Sequence, residues 1–137
     1  MILLDTHALV WSADNKLELG VRSRGLIASA QDNNKLYVSA ITPWEITMLV
    51  GKGRLELSRH LAIWMPGVIS QPGIMIAPLT PEIGMDAGLL PPGIHGDPAD
   101  RIIIATARAL HCPVLTADGK ILRYAEAGHL HAIDARH

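Results

Sequence analysis

The stretch His95-Gly96-Asp97-Pro98-Ala99-Asp100-Arg101 leads from a loop rich in proline and glycine directly into a strongly apolar segment, Ile102-Ile103-Ile104-Ala105. Asp97 is suited to cap the amino end of a helix, Pro98 suits the first helical position, and Asp100 then lies in the first turn. Acids are common in first turns because they complement the helix dipole, so both could serve only the helix. Alternatively, Asp100 points towards a site at the helix start. The other acids of the chain bear on that choice.

The composition predicts a single folded domain over residues 1–137 with an aliphatic core. Hydrophobic residues make up 49% of the chain and charged residues 18%, and phenylalanine is absent. The formal net charge of −1 excludes strong non-specific binding of nucleic acid by bulk electrostatics, so any nucleic-acid role must depend on a local site. The single cysteine, Cys112, cannot form an internal disulfide, and no signal peptide or membrane-length apolar run is visible. We therefore expect a cytoplasmic protein without membrane association.

Strand-like and helix-like patterns alternate along the chain. Continuous apolar runs of strand length suit strands that are buried on both faces, as in a parallel sheet. Such runs occupy residues 1–4, 36–39, 74–77 and 113–116, and a fifth, edge strand is placed at 131–133. Helices are predicted at 8–11, 21–30, 42–51, 61–69, 81–89, 98–110 and 121–127, with Pro66 ending or kinking the fourth. This order predicts an α/β fold with a mostly parallel central sheet and helices on both faces.

At one edge of this predicted sheet, acidic residues come directly after strands or in the first turn of helices. Asp5 follows the first strand, and Glu45 lies in the first turn of the helix after the second strand. Asp100 opens the helix before the fourth strand, with Asp97 at its cap, and Asp118 follows that strand. Sites in open parallel sheets form outside the carboxyl ends of the strands, so these side chains are expected to converge there.

Converging carboxylates repel one another, and without counter-charge some of them would stay protonated. A divalent cation removes this conflict, and oxygen ligands without a cysteine or histidine cluster favour Mg²⁺ or Mn²⁺ over Zn²⁺. A phosphodiester is the natural substrate, because the metal polarises phosphoryl oxygens and lowers the pKa of a bound water. The pattern predicts hydrolysis by water without a covalent intermediate. The candidate metal ligands and catalytic residues are Asp5, Glu45, Asp100 and Asp118.

Each acid also has a purely structural interpretation. Asp5 could cap the turn after its strand, and Asp118 could be an ordinary turn residue. Thr42-x-x-Glu45 is also the pattern of a capping box, in which Glu45 would serve the helix end. Asp97 is more readily a helix cap, or a group that acts through a ligand, than a metal ligand itself.

Four short motifs together resemble the PIN-domain family and, more closely, the VapC-type toxins of bacterial toxin–antitoxin pairs. They are Leu3-Leu4-Asp5-Thr6-His7, Pro43-Trp44-Glu45-Ile46, Asp97-Pro98-Ala99-Asp100-Arg101 and Thr116-Ala117-Asp118-Gly119, and they span essentially the whole chain. The resemblance implies a three-layer α/β/α sandwich and an endoribonuclease that depends on Mg²⁺ or Mn²⁺. It also implies a homodimer that is neutralised by a small cognate antitoxin covering the acidic groove. The family's four acids fall on Asp5, Glu45, Asp100 and Asp118, while Asp97 belongs to an extended variant of the third motif.

Several polar residues near the acids are candidates for supporting roles. The hydroxyls of Thr6 and Thr116 could orient carboxylates or metal-bound waters. Arg101 could pair with an acid or a substrate phosphate, although it points away from the acid that precedes it. His95 is near enough to Asp97 to hydrogen-bond its carboxylate, or it is exposed in the loop. Candidate phosphate contacts, which could equally be solvated surface charge, are Lys52, Arg54, Lys120 and Arg123.

Two other functions compete with a metal-dependent nuclease. An acidic pocket in an α/β domain also describes phospho-acceptor receiver domains, which are regulatory binding modules. That class needs paired acids after the first strand and an acceptor aspartate after a middle strand, whereas Asp5 is followed by Thr6 and residues 74–78 contain no acid. The second alternative is a degenerate nuclease that only binds RNA, against which stands the presence of every expected acid.

Overall fold

The computed structural model describes residues 1–137, which form five strands and seven helices. The strands are β1 (Ile2–Leu4), β2 (Leu36–Ser39), β3 (Ile74–Ala77), β4 (Val114–Thr116) and β5 (Ala132–Asp134). The helices are α1 (Thr6–Ala13), α2 (Val21–Asp32), α3 (Thr42–Gly51), α4 (Leu61–Ile69), α5 (Pro81–Gly88), α6 (Pro98–Leu110) and α7 (Gly119–Glu126). None of these helices is both long enough and apolar enough to cross a membrane.

All five strands run parallel in one sheet with the order β3-β2-β1-β4-β5. β1 lies at the centre, where Leu3 pairs with Tyr37 of β2 and with Val114 of β4. Every residue of β1 is buried, which explains why its sequence is apolar throughout instead of alternating with polar residues. The predicted mostly parallel sheet is confirmed, and the observed one is entirely parallel.

Helices cover both faces of the sheet, so the predicted three-layer α/β/α sandwich is confirmed. Because side chains alternate sides along a strand, consecutive residues of β1 supply two separate cores. Ile2 and Leu4 belong to a core that also contains residues of α1, α2, α3 and α4. Leu3 joins a second core with α6 and α7, and α5 packs against α6 through Ile83 and Ala87.

The strand order reverses at β1, because β2 and β3 lie on one side of it and β4 and β5 on the other. In open parallel sheets this arrangement leaves a crevice outside the carboxyl ends of the two strands that flank the reversal. Asp5 follows β1 and Thr116 ends β4, so both residues border that crevice. The fold therefore places the predicted acidic edge at the position where ligands bind in sheets of this type.

The bounds of α1, α2, α5 and α7 differ from the predicted ones by one or two residues at one or both ends. α1 begins at Thr6 and not at residue 8, because the Asp5 carboxylate accepts the Thr6 N–H and caps the helix. The prediction for Pro66 is a helix end or a kink; Pro66 lies inside α4, which continues to Ile69, so the helix does not end there. The proline is on the exposed side of the helix, where solvent can satisfy the Ala62 carbonyl that lacks its usual N–H partner.

Candidate metal centre

Asp5 lies directly after β1, and only 6% of its surface is exposed. One carboxylate oxygen accepts the Thr6 N–H at 2.8 Å, while the other accepts the Thr116 hydroxyl at 2.6 Å. Burial raises the pKa of Asp5, although both hydrogen bonds act in the opposite direction. The side chain is therefore a helix cap and at the same time a buried acid held in one orientation.

Glu45 enters the same region from the first turn of α3. Its carboxylate accepts a hydrogen bond from the Thr6 hydroxyl, and burial raises its pKa, with a further rise from the charge of Asp5. The capping-box interpretation is wrong, because Ile41 is the cap of α3 and the buried Thr42 hydroxyl has no hydrogen-bond partner. Thr42 lies one position inside the helix, which leaves Glu45 free to line the cleft.

Asp100 projects from the first turn of α6 with 15% of its side chain exposed. Burial raises the pKa of Asp100 to about 8, and the negative charges of Asp5, Asp97, Asp118 and Glu45 add to that effect in decreasing order. Burial and negative neighbours both favour the protonated form of this carboxyl group, and a nearby positive charge would favour the ionised form. A bound cation would supply that charge.

Asp97 and Asp118 each cap a helix at the border of the acidic region. Asp97 accepts the Asp100 N–H at 3.0 Å and caps α6, with Pro98 at the first helical position. Asp118 accepts the Lys120 N–H at 2.8 Å and caps α7. Both side chains also line the acidic cleft, so capping does not exclude them from a site.

The acids surround an open cleft of about 420 Å³, which we call the acidic cleft. Carboxylate oxygens of Asp5, Glu45 and Asp100 lie within 4.8 Å of one another, and so do ligand atoms of His95, Asp100 and Asp118. Asp100 belongs to both groups and is therefore their common member. A larger cavity of about 790 Å³ lies beside α5 and the end of α6, but no such ligand group borders it. The acidic cleft is lined by Asp5, His7, Trp11, Glu45, Leu49, Asp97, Asp100, Ala117 and Asp118.

A comparison of the sequence with protein-family models bears on this fold and cleft. The family model described as the PIN domain matches residues 2–127. The chain belongs to the PIN-domain family. It is similar to Ribonuclease VapC22 of Mycobacterium tuberculosis, with 28% identity over 120 residues that make up 88% of each chain. The family resemblance of the four sequence motifs is thereby confirmed.

Solved structures share this PIN fold at lower sequence identity. The VapBC2 complex of Rickettsia felis, bound to a promoter DNA fragment, contains a chain with a TM-score of 0.70 and 17% identity, covering 97% of this chain and 98% of that one. A toxin–antitoxin complex from Klebsiella pneumoniae gives a TM-score of 0.62 and 17% identity, covering 98% of each chain. These similarities support the α/β/α architecture.

Arg101 does not pair with an acid in this PIN domain, so that interpretation is wrong. Its guanidinium donates to the carbonyl oxygen of Ala87 at 2.8 Å and to that of His95 at 3.2 Å. Through these two bonds Arg101, a residue of α6, fastens the preceding loop and α5 to its own helix. Its support of the acidic cleft is therefore indirect, through the position of His95.

His95 contacts a different acid from the one that sequence reasoning suggested. Its Nε2 lies 3.2 Å from Oδ2 of Asp100, while its Nδ1 accepts the backbone N–H of Asp97 at 3.1 Å. Because Nδ1 accepts that bond, Nε2 is the ring nitrogen that faces the Asp100 carboxyl group. Closeness in sequence to Asp97 indicated a contact there, whereas the path of the loop decides which atoms meet.

The side chains of the acidic cleft are chemically suited to bind a hard divalent cation, which prefers oxygen ligands. Asp5, Glu45 and Asp100 each offer an oxygen within a small volume, and no cysteine lines the cleft. The hydroxyls of Thr6 and Thr116 already hold two of these carboxylates by hydrogen bonds. Burial and the mutual repulsion of the carboxylates raise their pKa values, and a bound divalent cation would favour the ionised forms.

Thr116→Val is expected to weaken Mn²⁺ binding by about 10–100-fold, the usual effect of losing a hydrogen bond that orients a ligand. The change removes the 2.6 Å bond to Asp5 and leaves the Asp118 N–H without its acceptor. Thr106→Val is the matched control, because that buried hydroxyl donates only to the Ile102 carbonyl of its own helix. Titration with Mn²⁺ by calorimetry checks the result, and equal affinity in both variants would contradict an orienting role for Thr116.

Proposed function

We propose that this chain is an endoribonuclease that depends on Mg²⁺ or Mn²⁺. The observation that carries the proposal is the group formed by Asp5, Glu45 and Asp100, whose oxygens lie within 4.8 Å of one another at the carboxyl edge of the sheet. Membership of the PIN-domain family supports a nuclease, and similarity to a protein named as a ribonuclease supports RNA as the substrate.

In this proposal, Asp5, Glu45 and Asp100 hold the cation, and Asp118 contributes from the cap of α7. The bound cation supplies Lewis-acid stabilisation of the phosphoryl oxygens and lowers the pKa of water. The acidic cleft is lined by no serine, threonine, tyrosine or cysteine, so the chain offers no hydroxyl or thiol nucleophile there. In the proposed hydrolysis water attacks the phosphorus and gives up a proton, the bond to the 3′-oxygen breaks, and that oxygen takes up a proton, without a covalent enzyme intermediate.

The remaining polar residues position the acids. Thr116 and Thr6 donate to Asp5 and Glu45, respectively, and so fix carboxylates that come from separate elements. His95, in the loop before α6, places its Nε2 3.2 Å from the Asp100 carboxyl group, and Asp97 caps that helix. Groups held in place before substrate arrives need little reorganisation during the reaction, which favours the transition state.

The chain is expected to cleave single-stranded RNA in Mg²⁺ or Mn²⁺, to stop in excess EDTA, and to recover when the metal is added back. Gel analysis of a labelled RNA measures this directly, and internal cuts distinguish an endonuclease from an exonuclease. Cleavage that persists in EDTA would contradict the metal dependence. RNA that is bound but never cut would favour the alternative, a catalytically weak RNA-binding module.

We further propose that the enzyme is the toxin of a toxin–antitoxin pair and acts as a cytoplasmic homodimer. Similarity to a solved toxin–antitoxin complex over 98% of both chains supports an antitoxin partner. The acidic cleft is open, so a small antitoxin with a basic side chain could cover it. Expression of the chain alone should arrest growth, whereas Asp5→Asn should not, and unaffected growth with the active enzyme would contradict toxicity. A short neighbouring reading frame would identify the antitoxin, and light scattering would measure the dimer.

A further inference from the structure

A second, smaller cavity of about 180 Å³ adjoins the acidic cleft, and its polar lining is basic. It lies between the loop before α6 and the outer face of α7. We call it the basic cavity. Two cations and two histidines border it, and no acid does. Its lining residues are Pro92, Gly93, His95, Lys120, Arg123, Tyr124, Ala127 and His129.

Lys120 and Arg123 carry the positive charge of this cavity and are free to bind a ligand. Both are exposed, and neither side chain forms a salt bridge or hydrogen bond within the chain. By contrast, the guanidinium of Arg108 in the adjacent α6 is occupied by Asp86. Arg123 folds back over the start of α7, since a methyl group added to Gly119 would lie 3.2 Å from its Nη1. Two free cations therefore lie close together near the start of α7, beside the acidic cleft.

The wall opposite α7 is held in place by tertiary contacts. The Tyr124 hydroxyl donates to the Pro91 carbonyl at 2.5 Å and ties the loop to α7. Gly93 has a φ of +118°, a backbone conformation that favours glycine, and it lies beside the Tyr124 ring. The Arg101 guanidinium holds the His95 carbonyl at 3.2 Å from the other side. The basic cavity is therefore built into the fold.

His95 and Asp118 join the basic cavity to the acidic cleft. His95 lines the basic cavity, and its Nε2 lies 3.2 Å from Oδ2 of Asp100 in the acidic cleft. Asp118 lines the acidic cleft and caps α7, whose second residue, Lys120, lines the basic cavity. The two cavities are therefore neighbours, connected through His95 and the start of α7.

We propose that the basic cavity binds a backbone phosphate of RNA next to the phosphodiester that is cut. The inference rests on the proposed ribonuclease function, which it deepens by assigning a substrate contact. The chain as a whole has a net charge of −1, so attraction of RNA beyond the metal site depends on local cations. Lys52 and Arg54, the other candidate phosphate contacts, line neither the basic cavity nor the acidic cleft.

The test measures binding in an Asp5→Asn background, which prevents cleavage without touching the basic cavity. Affinity for a short fluorescent oligouridylate is followed by anisotropy over a series of salt concentrations. For single-stranded nucleic acid, each lost phosphate contact makes the slope of log association constant against log salt concentration less steep by about 0.7. At 0.1 M salt this corresponds to a roughly fivefold loss of affinity. Lys120→Gln should give this change, and Lys120→Gln combined with Arg123→Gln about twice the change in slope.

Lys35→Gln is the matched control, because Lys35 is exposed at the amino end of β2, on the opposite edge of the sheet. An unchanged slope in the Lys120 and Arg123 variants, or an equal change in Lys35→Gln, would overturn the proposal. Cleavage by the wild-type chain in Mn²⁺ is measured in parallel. If the wild-type chain cuts RNA but the substitutions leave the salt dependence unchanged, the phosphate contact is contradicted and the ribonuclease function is supported. If the salt dependence changes in these variants but the wild-type chain does not cut RNA, the phosphate contact is supported, whereas the ribonuclease function and the place of the contact beside a cut phosphodiester are both contradicted.

Discussion

Asp100→Asn is expected to reduce RNA cleavage by at least roughly 10³-fold. Asp100 is the only residue shared by both groups of ligand atoms at the acidic cleft, so its loss disrupts both. A metal-held phosphodiester site supplies several kcal/mol of transition-state stabilisation, and each 1.36 kcal/mol corresponds to a factor of ten in rate. Single-turnover cleavage of a labelled RNA in Mn²⁺ measures the loss.

The same substitution is expected to stabilise the metal-free chain. Burial and four neighbouring carboxylates raise the pKa of Asp100 to about 8, so ionising this side chain opposes folding. Asparagine keeps the shape of the side chain and cannot ionise. The melting temperature in EDTA should therefore exceed that of the wild type, and by more at pH 8 than at pH 6.

Asp86→Asn provides a control for both measurements of Asp100→Asn. Asp86 lies on α5, where it forms a salt bridge with Arg108 outside the acidic cleft. Its replacement should leave cleavage intact and lower the melting temperature slightly, because a partner of Arg108 is lost. Full activity of Asp100→Asn, or a lower melting temperature in EDTA at both pH values, would contradict the metal-site role.

The metal-free chain is expected to lose stability as pH rises from about 4 to about 8. Asp100 has its ordinary pKa of 3.8 in the unfolded chain and about 8 in the folded one, so the folded state binds more protons across this interval. The free energy of unfolding then falls by about 1.4 kcal/mol per pH unit from this group alone, and the penalty is complete above pH 8. Asp5 and Glu45, whose pKa values are also raised, act in the same direction.

A bound divalent cation should reverse this loss, because it requires the ionised carboxylates that destabilise the metal-free fold. At 100 times its Kd, a ligand that binds only the folded chain adds about 2.7 kcal/mol to the free energy of unfolding. Thermal unfolding at pH 6, 7 and 8, with Mn²⁺ or with EDTA, measures both effects. The increase in melting temperature caused by Mn²⁺ should grow with pH. An increase that shrinks as pH rises would contradict the prediction.

The sequence alone determined the layered fold and the regions from which the acids come. Uninterrupted apolar runs identify strands buried on both faces, and β2 and β3 have the predicted bounds. Asp97 and Pro98 mark the start of α6 because capping and proline geometry are local properties of a few consecutive residues. The rule that parallel strands present their carboxyl ends together then placed Asp5 and Asp118 at one edge.

Only the tertiary structure decided which atoms meet at that edge. Thr116 donates to Asp5 across 111 positions of sequence, and Thr6 to Glu45 across 39, so no local pattern could reveal either bond. The motif around Glu45 was locally compatible with a capping box, but the long-range bond to Thr6 and the start of α3 excluded it. His95 likewise contacts Asp100, a partner that depends on the path of the loop. Local chemistry sets where elements begin and end, whereas packing between distant segments sets the orientation of side chains within a site.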